Sequence, residues 1–153
     1  RCLVWDDGIK VSGVTSTTDL TLAGGIVQEK FTAEGTALTG TYNWDMEDNG
    51  GIANYTSNAS GTWIWNLRGD GSTTLNSLMH IGMQLVFTGY VPSNNASYYM
   101  TDLKIDGSSQ TEKWNGGSAP SAGTGSGTDV YTFNILKTAD ATFTVFANFS
   151  NFA

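Results

Sequence analysis

The sequence predicts an all-β protein: a β-sandwich or jelly-roll-like head with a short β-rich stem in front of it. Three observations carry this. Apolar side chains recur at a period of two in segment after segment, while helical periodicity is scarce. Charged residues make up only 14% of the 153 residues, and Gly, Ser, Thr and Asn fill the stretches between apolar segments, which is the composition of uncharged turns joining many strands. Aromatic residues reach 12%, enough large apolar surface to exclude a disordered chain.

Arg1 to Gly40 reads as the stem. Val4-Trp5, Ile9–Val11, Leu20–Leu22 and Ile26-Val27 are brief apolar runs set among Gly, Ser, Thr and Asp. Each is too small to close a core alone, and such strands become stable when identical chains supply the missing partners. Self-association of identical chains is therefore expected, with residues 1–40 as an intertwined oligomerisation segment and 41–153 as the head. Thr39-Gly40-Thr41 is the expected junction.

Within the head, Trp63, Trp65 and Leu67 alternate with Thr62, Ile64 and Asn66. Leu75, Leu78 and Met79 recur at helical spacing, with Thr73 or Thr74 as N-cap and Gly82 as a stop, which predicts a short helix. Leu85, Phe87 and Val91 alternate with Gln84, Thr88 and Tyr90, although Val86 breaks the polar side. Over Tyr98–Asp106, Tyr99, Thr101, Leu103 and Ile105 fall on one face and Met100, Asp102, Lys104 and Asp106 on the other. Tyr131, Phe133 and Ile135 share a face of the next strand. In the last strand both faces carry phenylalanine, Phe143 and Phe149 on one and Phe146 and Phe152 on the other. That strand is expected to be covered on both sides, by its own domain or by a neighbouring subunit.

Seven basic residues against fourteen acidic ones give a net charge of −7, with no cluster of Lys or Arg. Phosphate backbones and anionic membrane surfaces are repelled by such a balance, so no nucleic acid and no membrane insertion is expected. No apolar run reaches the length of a bilayer span. Cys2 and His80 are each the single residue of their type, which leaves neither an internal disulfide nor a cysteine or multi-histidine metal site, and no cofactor is expected. His80 is expected to be packed or hydrogen-bonded. The chain opens on Arg1-Cys2, without an initiator methionine or a basic-then-apolar leader, which points to a fragment or a processed product.

Candidate sites are few. Trp114, between Lys113 and Gly116-Gly117, reads first as a structural loop anchor: the indole packs on the sandwich, and Gly116 and Gly117 allow a turn at positive φ. The competing reading is a sugar-stacking platform, which with Tyr98 and Tyr99 beside Asn94 and Asn95 makes a candidate binding tip. Asp45, Glu47 and Asp48 lack the alternating spacing of a calcium loop and read as a solvated turn. A polysaccharide-cleaving site would need two carboxyls flanking a sugar, with Glu47 and Asp48 as the residues to test, and no catalytic residue is expected. Arg68-Gly69-Asp70 reads as a turn.

One stretch carries a family resemblance. Ile105-Asp106-Gly107-Ser108-Ser109, Lys113-Trp114, Gly116-Gly117-Ser118-Ala119-Pro120, Asp129-Val130-Tyr131-Thr132-Phe133 and Lys137 to Val145 resemble the carboxy-terminal module of marine tailed-phage virion structural proteins, of tail-fibre or appendage type. The likeness extends more weakly to Trp44–Asp48 and Arg68–Ser77. It implies a non-enzymatic virion protein, a segment of a homotrimeric fibre or appendage serving virion assembly and host-surface attachment. Its implied partners are its own copies, other virion proteins and host cell-surface glycan. A capsid or neck decoration knob is the alternative within that class, and a carbohydrate-binding lectin-like domain is the alternative outside it.

Overall fold

In the computed structural model, which describes residues 29–152, the alternating segments become strands and their apolar faces meet. Trp63, Trp65, Leu67, Phe87, Val91, Tyr131, Phe133 and Ile135 are all at most 1% exposed. In chain order the elements are β1 (Thr32–Glu34), β2 (Gly40–Asp45), helix α1 (Met46–Asn49), β3 (Ile52–Tyr55), β4 (Trp63–Arg68) and helix α2 (Leu75–Leu78). They continue with β5 (Gln84–Pro92), β6 (Met100–Ile105), β7 (Ser108–Ser109), β8 (Glu112–Trp114), a 3-10 turn at Asn115–Gly117, β9 (Thr128–Ala139) and β10 (Thr142–Phe152).

The strands form two mixed sheets, packed as a sandwich. The larger, six-stranded sheet has the order β1-β3-β5-β9-β10-β8, and the smaller, four-stranded one the order β2-β4-β6-β7. From β1 to β6 the chain changes sheet at every step. Two successive crossings return it to its first sheet travelling in the original direction, so β1, β3 and β5 run parallel, as do β2, β4 and β6. Only then does β9 enter antiparallel to β5, with Phe87 opposite Phe133, and β10 fold back along β9. The jelly-roll form of the expectation is thereby corrected, because a jelly roll is built from antiparallel Greek keys. Period-two alternation reports which face of a strand is buried and is silent about the direction of its neighbour.

A second correction concerns β6. Met100 is buried and Thr101 exposed, the reverse of the alternation expected over Tyr98–Asp106. Trp63 pairs with Met100 but Ile64 with Asp102, so Thr101 is an extra residue, and this bulge shifts the facing of everything before it. On the amino-terminal side, β1 pairs with β3 and Leu38 is fully buried in the core. These residues, placed in the stem from sequence, are thus built into the sandwich, while residues 1–28 of the expected stem, Cys2 among them, lie outside the described residues.

The expected helix is α2. The Thr74 hydroxyl accepts from Ser77 N–H at 3.1 Å as the N-cap, and Asp106 accepts from the N–H groups of Leu75 and Asn76 at 2.7 and 2.9 Å. At the other end the buried Lys137 ammonium donates to the carbonyls of Asn76 and Met79. A carboxylate at the amino end and an ammonium at the carboxyl end both complement the helix dipole, which accounts for a lysine in the core. Lys137→Met keeps the apolar stem but leaves those carbonyls without their donor. A loss of about 1–3 kcal/mol is expected by urea denaturation. An unchanged midpoint would show that the ammonium contributes nothing. Of the packed or hydrogen-bonded roles expected for His80, packing is not seen: the residue lies exposed beyond the end of α2, where its backbone carbonyl accepts from Met83 N–H.

Candidate functional site

Residues of β6, β8 and the loop after the 3-10 turn bring two of the three candidate binding-tip aromatics together. Tyr99 and Trp114 line one shallow cleft of about 270 Å³ with Met100, Glu112, Pro120 and Ser121. Trp114 is placed by the parallel pairing of β8 with β10, where it lies opposite Ala147. Its indole is half-buried and meets Phe133 edge-on, with ring centroids 6.0 Å apart. Gly116 and Gly117, at φ 79° and 84°, turn the chain immediately afterwards, a conformation that L side chains resist. The same ring therefore both seals the edge of the core and lines the cleft. Tyr98 is not part of the cleft. It packs against the core cluster, with its N–H bonded to the Asn95 carbonyl.

Glu112 was not singled out from the sequence. Its position two residues before Trp114 on a strand puts both on one face, and that parity was the available signal. Its carboxylate accepts from Leu103 N–H at 2.8 Å, which ties β8 across the open edge of the smaller sheet. Burial raises its pKa above the usual 4.5, opposed by its backbone hydrogen bonds. A group whose folded pKa exceeds its unfolded one stabilises the fold fully below the unfolded value, and that contribution is lost as pH rises through the folded one. Glu112→Gln, whose amide oxygen still accepts from Leu103, is therefore expected to gain stability relative to the parent as pH rises from 4.5 toward neutrality. Chemical denaturation at several pH values checks this. Parallel curves for parent and variant would refute it. Asp129 shifts in the same direction through burial, so the difference between the two proteins isolates Glu112.

The other candidates are placed apart. Asp45 is engaged by Arg68, Nε to Oδ1 at 2.6 Å, and Glu47 and Asp48 are exposed in the first turn of α1. Asp70 accepts from Ser72 and Thr73 N–H groups in a local turn, which accounts for Arg68-Gly69-Asp70. Among the described residues no group of three His, Cys, Asp or Glu side chains converges as a metal site. Glu112 is the single carboxylate lining the cleft, which offers an aromatic wall, a hydrogen-bonding acid and room for a small polar ring.

No protein-family model matches the chain, and neither a curated protein nor a solved structure matches it.

Proposed function

We propose that this chain is a non-enzymatic virion structural protein, a segment of a trimeric fibre or particle appendage that serves assembly and host-surface attachment. One observation carries the reading. The sandwich seals its own interior, yet on β10 it leaves Phe146 45% and Phe152 61% exposed, although Val145 and Ala147 on the opposite face are buried. A brick of this kind is self-standing and has an adhesive side. The resemblance of Ile105 to Val145 to tailed-phage appendage modules supplies the biological setting. In an array of copies, weak contacts to a repetitive surface gain strength through effective concentration. Immuno-electron microscopy of purified particles tests the assignment: label on an appendage is expected, and particles free of label would refute it.

The cleft favours a second reading, a carbohydrate-binding lectin-like domain acting without a particle. Aromatic rings and a hydrogen-bonding carboxylate are the elements that grip a sugar face and its hydroxyls. Saturable glycan binding by the isolated chain, lost in Trp114→Ala, supports that reading; silence on a glycan array at high concentration removes it.

A further inference from the structure

The two outer faces of the sandwich differ in kind. On the smaller sheet, Asp45 pairs with Arg68, and Asn66 donates to Asn43 across the strands at 2.8 Å. Asp102 and Lys104 stand on the same face, beside Ser109, whose hydroxyl donates to Asp102. This is a solvated surface whose polar groups already serve one another.

On the larger sheet, strand register aligns the outward residues in rows. Phe146 lies opposite Asn134, and Asn134 opposite Val86. Asn148, Thr132, Thr88 and Ile52 form the next row. Ser150, Val130, Tyr90 and Asn54 form the one after it. Val86 and Tyr90 are 42% and 40% exposed. No outward residue of β3, β5, β9 or β10 is charged. Among the described residues, charge enters this face from its flanks: the Lys113 ammonium sits 5.4 Å from the centre of the Phe146 ring at one side, and from the other Glu29, beside Phe31 and Ile52, reaches in over Gly51.

We infer that this face is the contact surface between copies of this chain, with the three larger sheets of a homotrimer turned toward a common axis. The inference rests on the assembly reading above and adds which surface makes the contact. A second copy is the partner that the chemistry fits. The chain carries a net charge of −7, so copies meet with least repulsion where acids are few or paired with a cation. Asn, Thr and Ser side chains both donate and accept, so a face built from them can hydrogen-bond to its own duplicate. A cation at one margin and an acid at the other let the edge of one copy meet the opposite edge of the next. Three long strands, ~4.8 Å apart and about nine residues of ~3.3 Å, present roughly 400 Å² in projection. β1 and β3 extend this to roughly 500 Å² of flat projection.

Light scattering on the full chain and two variants tests the inference, with circular dichroism as the check on folding. The parent is expected to give three times the chain mass. Phe146→Asp and Val86→Lys, both at exposed positions, are each expected to give a folded species of one chain mass, a threefold drop. Thr41→Asp, on the outer face of the smaller sheet, is expected to leave the trimer intact. A trimer that survives both larger-sheet substitutions overturns this assignment and leaves the assembly reading standing. A parent that is monomeric overturns both. A parent dimer overturns the three-sheet arrangement.

Discussion

Trp65→Ala is expected to cost about 3–5 kcal/mol, a large share of the ~5–15 kcal/mol that holds a domain together. Trp65 sits on β4 at the centre of the sandwich and is fully buried. Its ring lies edge-on to Phe87, Tyr131, Trp63 and Phe133 at centroid distances of 5.3, 5.6, 5.7 and 6.2 Å. Edge-to-face pairs of this type contribute about 0.5–1.5 kcal/mol each beyond the area they bury. Its Nε1 donates to the Tyr55 hydroxyl at 3.0 Å, inside the core. Burial raises the Tyr55 pKa beyond the usual tyrosine range, so the group that receives this bond stays neutral. Alanine here opens a cavity between the sheets and leaves that hydroxyl unmatched. Trp63→Phe is the contrasting substitution: the Trp63 Nε1 is a buried donor without a partner among the described residues, so phenylalanine forfeits no hydrogen bond to them. Urea denaturation is expected to rank Trp65→Ala lowest, then Trp65→Phe, then Trp63→Phe. A Trp65→Ala midpoint close to that of the parent would refute this account of the core.

Gly89→Ala is expected to cost about 1–3 kcal/mol although it adds a single methyl group. Gly89 lies on β5, opposite Ala53 on one side and Tyr131 on the other, at an inward position. A Cβ there would lie 2.6 Å from Trp65 Cη2 and 2.7 Å from Cζ2. The indole of the smaller sheet thus rests directly on the backbone of the larger one, and glycine is the residue that permits it. The mechanism has a distinctive signature. Trp65→Phe removes the ring carbons that would clash, so Gly89→Ala should be cheaper in that background, with a coupling on the order of 1 kcal/mol. The same cost in both backgrounds would show that steric contact with Trp65 is not the cause.

Most of what the core needs was legible locally. Trp63, Trp65 and Leu67, Phe87 and Val91, and Tyr131, Phe133 and Ile135 are inward as the alternation requires, because a strand side chain's facing is fixed by its own parity. α2 was equally legible, since Thr74 and the apolar spacing act within a single turn, although it ends at Leu78 with Met79 as C-cap and not at Gly82. The misreading of Tyr99, Thr101 and Met100 has a definite origin. A bulge is a property of a strand pair, and it appears only when Trp63 and Ile64 are set against Met100 and Asp102. The cleft was half legible. Tyr99 and Trp114 were named from their residue type, whereas Glu112 and Pro120 join them only because β6, β8 and the following loop converge at one edge of the sandwich. The third aromatic, Tyr98, separates from them at that same edge.

Local pattern was enough to specify a mostly β chain, the segments that became β4, β5, β6, β9 and β10, and the aromatic residues at the centre of its interior, because period and residue size are local quantities. The packing of distant segments decided that the chain winds between two sheets in parallel turns, that Trp65 lies on Gly89, and that the outward positions of β3, β5, β9 and β10 are uncharged while those of the smaller sheet are not. Each of these depends on which strand lies beside which. That choice is made by the packing of distant segments and leaves no periodic mark in the sequence.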